Sequence, residues 1–244
     1  MKKVIYYLLL PLVALAVSAC SDDDDNLPEV KPADRGTVTD DEGNVYEWVR
    51  IGDLLWTTTN ANNGPDVWDF DYYDGFSWQP TYSDSYGRVP SSRKKYMNNT
   101  YRPKYGNQMN YANAVASAPD GWRLPSDEDW KNLERCLGIT DVDNLGARGD
   151  GQAFRLQEGE GGTELALLPG GGFIFEPSFN MLFLSIRFEE VYGYYWTSTL
   201  DPNFADEEIA YFRKFLVGQG QVWRERTSGQ QCMSVRWCRD ASSN

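Results

Sequence analysis

The chain changes its spacing of apolar and polar positions several times, and each spacing predicts an element. Val45, Glu47 and Val49 alternate with Tyr46, Trp48 and Arg50, the period of two that sends successive side chains to opposite faces of a strand. Asp40 to Asn44 before it is turn chemistry, because Gly43 and Asn44 tolerate positive φ. Gly52-Asp53 turns the chain toward Leu54-Leu55-Trp56-Thr57-Thr58, the expected hairpin partner. Residues 60–108, dominated by Asn, Gly, Pro, Asp and Tyr, predict irregular structure. Two short helices follow. One runs over Asn110–Ala118 and stops at Pro119. The other opens on Ser126 as N-cap, with Asp129 three residues on, and carries Trp130, Leu133 and Leu137 at i, i+3 and i+7 before Gly138 stops it. Beyond it, glycine-rich loops separate strands predicted at 165–168, 194–198, 209–217, 221–223 and 233–239. Two hairpins enclosing helices and long loops, without βαβ alternation, predict one α+β domain over 37–244.

The first twenty residues follow a different rule. Lys2 and Lys3 precede an apolar stretch from Val4 to Val17, which Pro11 interrupts, and Val17-Ser18-Ala19-Cys20 closes it. This stretch is too short for a comfortable membrane span and has the form of a secretory signal at 1–20. Its end resembles the lipobox of bacterial lipoproteins, which implies diacylation of Cys20 and cleavage before it. Ser21 and four aspartates begin a segment at 21–36 that also holds Pro28 and Pro32. Like charges repel and keep such a stretch extended, so it predicts a tether. Acidic residues directly behind the lipid cysteine resemble the export tag of surface lipoproteins. The expected location is therefore the cell outer membrane, lipid-anchored and facing the exterior. A spacer facing the periplasm is the alternative.

Composition narrows the chemistry. The 244 residues hold 23 Lys and Arg, 36 Asp and Glu and no histidine. So acidic a chain is no nucleic-acid binder, since phosphate contacts need a basic face. Without histidine there is no Ser-His-Asp or Cys-His catalysis and no His-ligated zinc. Removal of residues 1–20 takes two lysines and no acid, carrying the formal charge from −13 to −15. Anionic headgroups repel such a surface, which leaves the acyl chains as the membrane contact.

Several blocks in order carry a resemblance. They are Asp41-Glu42-Gly43-Asn44-Val45-Tyr46 with Ile51-Gly52 and Trp56; Gly121-Trp122-Arg123-Leu124-Pro125-Ser126; Leu168-Pro169-Gly170-Gly171; Tyr195-Trp196-Thr197-Ser198-Thr199; and Ser234-Val235-Arg236. Together they resemble the Fibrobacter succinogenes major paralogous domain over roughly 38–240. The resemblance implies a C-type-lectin-like fold with small antiparallel sheets, two short helices and long irregular loops, in which the N- and C-terminal strands pair. It also implies that Trp122 and Leu124 belong to the core. Members often carry a cysteine before the Gly-Trp turn and another after Ser-Val-Arg, where this chain has Ala118 and Trp237. Cys136, Cys232 and Cys238 remain. In an oxidising compartment Cys136–Cys238 is the first pairing to expect and Cys136–Cys232 the next, with Cys136 placed on the buried helix stripe; three reduced buried thiols are the alternative.

Calcium-dependent sugar binding of the lectin type is not expected. Glu176-Pro177-Ser178 lacks the needed amide, and Trp196-Thr197-Ser198 supplies no carboxylate. Asp141, Asp143, Asn144 and Asp150 read as a solvated acidic loop, and Arg148-Gly149-Asp150 as a glycine turn. Residues 66–86 carry the candidate site. Trp68, Tyr72, Tyr73, Trp78 and Tyr82 alternate there with Asp66, Asp69, Asp71, Asp74 and Asp84. Aromatic faces stack on sugar rings and serve as hot spots for protein partners, while carboxylates bind hydroxyls. The alternative is that these rings fill the core beneath a loop. The reading is a non-enzyme without cofactor or metal that binds a glycan or a host or envelope protein. A structural envelope component is the first alternative, and a hydrolase or formylglycine-generating-type oxidase the next.

Overall fold

The computed structural model describes residue 30 and residues 32–66, 71–73, 78–80, 95–157, 162–178 and 181–242. Twelve strands appear among them: β1 Arg35–Thr39, β2 Val45–Ile51, β3 Leu54–Thr57, β4 Asp71–Tyr73, β5 Trp78–Pro80, β6 Gly146–Arg148, β7 Gly172–Ser178, β8 Met181–Arg187, β9 Tyr192–Leu200, β10 Ile209–Leu216, β11 Val222–Ser228 and β12 Cys238–Asp240. The helices are α1 Arg102–Tyr105, α2 Tyr111–Ala116, α3 Asp127–Cys136 and α4 Gln152–Gln157; a π-helical turn, Met97–Tyr101, runs directly into α1. The strands form two four-stranded antiparallel sheets, β1-β2-β3-β12 and β6-β11-β10-β9, and two hairpins, β4–β5 and β7–β8. This is an α+β fold, as expected, and the N-terminal hairpin pairs with the C-terminal strand.

Local rules that were readable in the sequence hold. The β2–β3 hairpin pairs Trp48 with Thr57 through Ile51 with Leu54. Asn110 caps α2 by accepting from the Asn113 backbone N–H. In α3 the Ser126 hydroxyl accepts from the Asp129 N–H at 3.1 Å, and the Asp129 carboxylate accepts from the Ser126 N–H at 2.6 Å. That closes a capping box. Trp130, Leu133 and Leu137 face a core shared with Val49, Ile51 and Trp56 of the first sheet and Tyr195, Phe215 and Val222 of the second. The stripe of α3 thus packs against residues of both sheets.

Four expectations change. The run 165–168 is not a strand, because Glu164 and Ala166 take left-handed backbone conformations (φ 59° and 47°) that break the pleat. Segment 233–239 does not form one ladder. Cys232, Met233 and Ser234 bridge Phe173, Met109 and Tyr195 in turn, and only Cys238–Asp240 pairs regularly, with β3. Every residue from 232 to 238 is buried, so both faces of this extended stretch are covered by different partners. The fold also begins earlier than 37, since β1 starts at Arg35 and the Ala33 N–H donates to the Arg50 carbonyl. Finally, 95–105 is helical, although that stretch was expected to be irregular.

Two acids of α3, Asp127 and Glu134, are buried too. Glu134 pairs with Arg148 of β6 and Arg213 of β10 at 2.6 Å each. Asp127 pairs with Arg213 at 2.7 Å and with Arg224 of β11 at 2.8 Å. The helix therefore docks on the second sheet through ions. Burial pushes the Asp127 carboxyl up, but hydrogen bonds and charge from Arg224 and Arg213 outweigh it and hold it well below the usual carboxylate range.

Candidate binding face

Of the five candidate aromatics, Trp68 and Tyr82 lie outside the described residues. Tyr72 and Tyr73 fall in β4 and Trp78 in β5. The hairpin register sets Tyr73 opposite Trp78 and Tyr72 opposite Gln79, so the backbone brings one candidate pair together across the two strands.

The chain on either side of 67–94 is built in detail. On the entry side, Arg102 donates from Nε to the Asn62 amide oxygen at 2.9 Å, from a second nitrogen to the Asn62 carbonyl, and from a third to Asp66 at 2.6 Å. The Asn107 amide nitrogen lies 2.9, 3.2 and 3.0 Å from the carbonyls of Asn63, Gly64 and Pro65. The Asn107 backbone N–H donates to the Ala61 carbonyl at 2.8 Å. Entry and exit are thereby clasped side by side. Gly106 makes the approach possible: its φ is 77°, and a Cβ there would stand 2.5 Å from the Ala61 carbonyl oxygen.

The exit itself is a helical turn. Met97, Tyr101 and Tyr105 recur at i, i+4 and i+8 and pack with Phe173 and Cys232. The Tyr101 hydroxyl donates to the Gly170 carbonyl. Tyr96 donates to Glu189 at 2.7 Å, and burial together with that carboxylate pushes its phenol up to about 12. The apolar spacing was the signal available in the sequence. Pro103, at the start of α1 where the π-helical turn joins it, masked it. Arg102 and Asn107 carried no signal of their own, because their partners are backbone carbonyls and a half-buried carboxylate some forty residues away.

The tryptophans and arginines of the later blocks that carried the family resemblance are tied into the fold. Trp122 and Leu124 are buried, as expected, and the Arg123 backbone bridges Cys238. Arg123 pairs with Asp129, and also with Asp240 at 3.0 Å. The Trp196 indole N–H donates to the Met109 carbonyl at 2.8 Å. Arg236, 1% exposed, donates to the Asn60 amide oxygen at 2.7 Å, the Thr57 carbonyl at 2.9 Å and the Ala166 carbonyl at 3.1 Å. Burial draws its guanidinium below the usual arginine value. Because Asn60 in turn donates to the Tyr105 carbonyl at 2.7 Å, Arg236 ties the core to the clasp.

The expected Cys136–Cys238 and Cys136–Cys232 pairings are not made; all three cysteines are free. Cys232 and Cys238 are buried, whereas Cys136 is exposed in the last turn of α3. At 3.6 residues per turn, Cys136 sits about 100° around the helix from Leu137, off the stripe it was assigned to. Burial pushes the Cys232 and Cys238 thiols far above the usual range. Asp143 is occupied by Lys131 at 2.6 Å, and Arg148 is inside the α3 network. Among the described residues no group of three Cys, Asp or Glu side chains converges as metal ligands would.

Neither a curated protein nor a solved structure matches the chain. The family model of the Fibrobacter succinogenes major domain matches residues 49–239, and the chain belongs to that family.

Proposed function

We propose that the chain is an outer-membrane lipoprotein, anchored by lipid on Cys20 and facing the exterior, whose C-type-lectin-like domain binds a glycan or a protein without calcium and without catalysis. The binding surface is the aromatic and acidic segment from Asp66 to Tyr86. The observation that carries this reading is the clasp: Arg102 and Asn107 fasten the entry of 67–94 against its exit, while Trp122, Trp196 and Arg236 are spent on the interior. A loop whose two ends are fastened to a rigid scaffold is suited to carry a binding surface. The pairing of the N-terminal hairpin with β12 supports the lectin-like architecture.

The test screens residues 21–244 against a glycan array and against host and envelope proteins, beside the double variant Trp68→Ala, Trp78→Ala. The expected result is a partner captured by the parent and lost by the variant at unchanged circular dichroism. Undiminished capture by the variant removes the segment as the site. Silence in both screens, with protection from protease on whole cells, supports a structural envelope role instead. Intact mass of the membrane-extracted chain reads the lipid on Cys20.

A further inference from the structure

A second recess lies away from the clasped segment. Tyr194 of β9, Phe212 of β10 and Phe173 of β7 line a half-open recess of about 130 Å³ together with Met233 and Cys232. Half-exposed Thr227 and Gln231 stand at its edge. The Tyr194 and Phe212 rings are 6.1 Å apart with their planes at 52°, and the Cys232 thiol is wholly buried. The backbone around it is fixed, since Phe173 and Cys232 exchange both N–H···O bonds at 2.9 Å.

Size and lining select a ligand. An apolar protein cavity of about 150 Å³ stays dry and accepts a benzene ring, and this recess is of that order. No lining residue is charged, so an ion entering it would lose its water without a partner. A sugar ring would bury several hydroxyls against carbon, with only Thr227 and Gln231 offering polar side chains at the edge. A flat ring instead meets aromatic faces and edges at offset or T-shaped angles and a polarizable thioether at Met233, each a favourable contact. We infer that this recess is a binding site for one uncharged aromatic ring, entering past Thr227 and Gln231. The ring can belong to a free phenol-sized molecule or to a phenylalanine-type side chain of a peptide; the chemistry of the recess is the same for both.

The experiment uses the mature chain with ¹³C-methyl methionine, the Met233 resonance being assigned with Met233→Leu. Phenol is titrated in, and a ring stacking beside the thioether is expected to move the Met233 methyl saturably upfield. Thr227→Phe, at a half-exposed strand position, places a ring in the entrance and is expected to weaken phenol binding at least about tenfold, that is, by the factor of ten in Kd that one step of affinity represents. Competition by N-acetyl-phenylalaninamide assigns the ring to a peptide side chain; phenol binding without such competition assigns it to a free small molecule. The inference is overturned if phenol leaves Met233 unmoved. It is equally overturned if Thr227→Phe binds phenol as the parent does while showing the parent's circular dichroism, or if hexanol moves Met233 at lower concentration than phenol.

Discussion

The polar face of α3 and the clasp around 67–94 both join distant stretches through arginine, yet they are built in opposite ways. On α3 the contacts of Asp127 and Glu134 to the second sheet are ion pairs and nearly dry: the Glu134 and Arg148 side chains have no exposure at all. In the clasp most acceptors are backbone carbonyls or amides, and the one ion pair, Arg102–Asp66, keeps about a quarter of each side chain in water. Buried ions are costly to strand, so the α3 network is unforgiving and specifies where the helix lies. A carbonyl clasp with a partly wet ion pair tolerates change. The first suits a frame; the second suits a mount, as the proposed binding role of 67–94 requires.

The largest effect follows from Glu134→Ala, which leaves Arg148 and Arg213 without their shared carboxylate. Removal of one member of a buried ion pair costs about 3–5 kcal/mol, and a urea titration should show a correspondingly lower midpoint. A change below about 1 kcal/mol would mean that the frame is no stiffer than the clasp. Acid probes the same network through Asp127. Its folded-state value lies below the ordinary carboxyl value of 3.8, so its stabilisation is complete above that value and is lost as pH falls toward the lower folded one. The melting temperature of the parent should therefore drop steeply below about pH 4. Asp127→Asn, less stable at neutral pH, should lack that part of the drop, so the two curves converge in acid.

How far each region was legible in the sequence follows from the reach of its contacts. The capping box of Ser126 and Asp129 and the stripe of Trp130, Leu133 and Leu137 are complete within twelve residues, and both held. The α3 network was invisible because Asp127 and Glu134 lie on the helix's charged face, where acids are ordinarily solvated. Their partners Arg213 and Arg224 stand 79 to 97 positions away. Cys136 was misplaced by treating a stripe as wider than its angle allows. The strand expected at 233–239 failed in both extent and pairing, since a stretch buried on both faces loses the alternation that tells one face from the other. The clasp depends mostly on backbone carbonyls, which have no signature in side-chain sequence.

An intermediate effect isolates the clasp. Asn107, 3% exposed, faces three carbonyls with one amide nitrogen. Asn107→Ala strands those acceptors, at about 1–3 kcal/mol for buried groups left unsatisfied. Thermal unfolding should show this as a loss smaller than that of Glu134→Ala. A loss equal to it would merge mount and frame into one cooperative unit.

The smallest expected change in stability is also the sharpest separation of the two regions. Arg102→Ala removes a half-exposed ion pair and two hydrogen bonds to Asn62, worth about 1 kcal/mol together once solvent replaces them. If the clasp is a mount, its loss should act locally: trypsin cleavage between residues 88 and 95 should accelerate while the melting temperature hardly moves. Capture of whichever partner the screen finds should weaken in step with that cleavage. A fall in melting temperature that tracks the cleavage rate would instead make Arg102 part of the frame, because local opening and global unfolding would then be the same event.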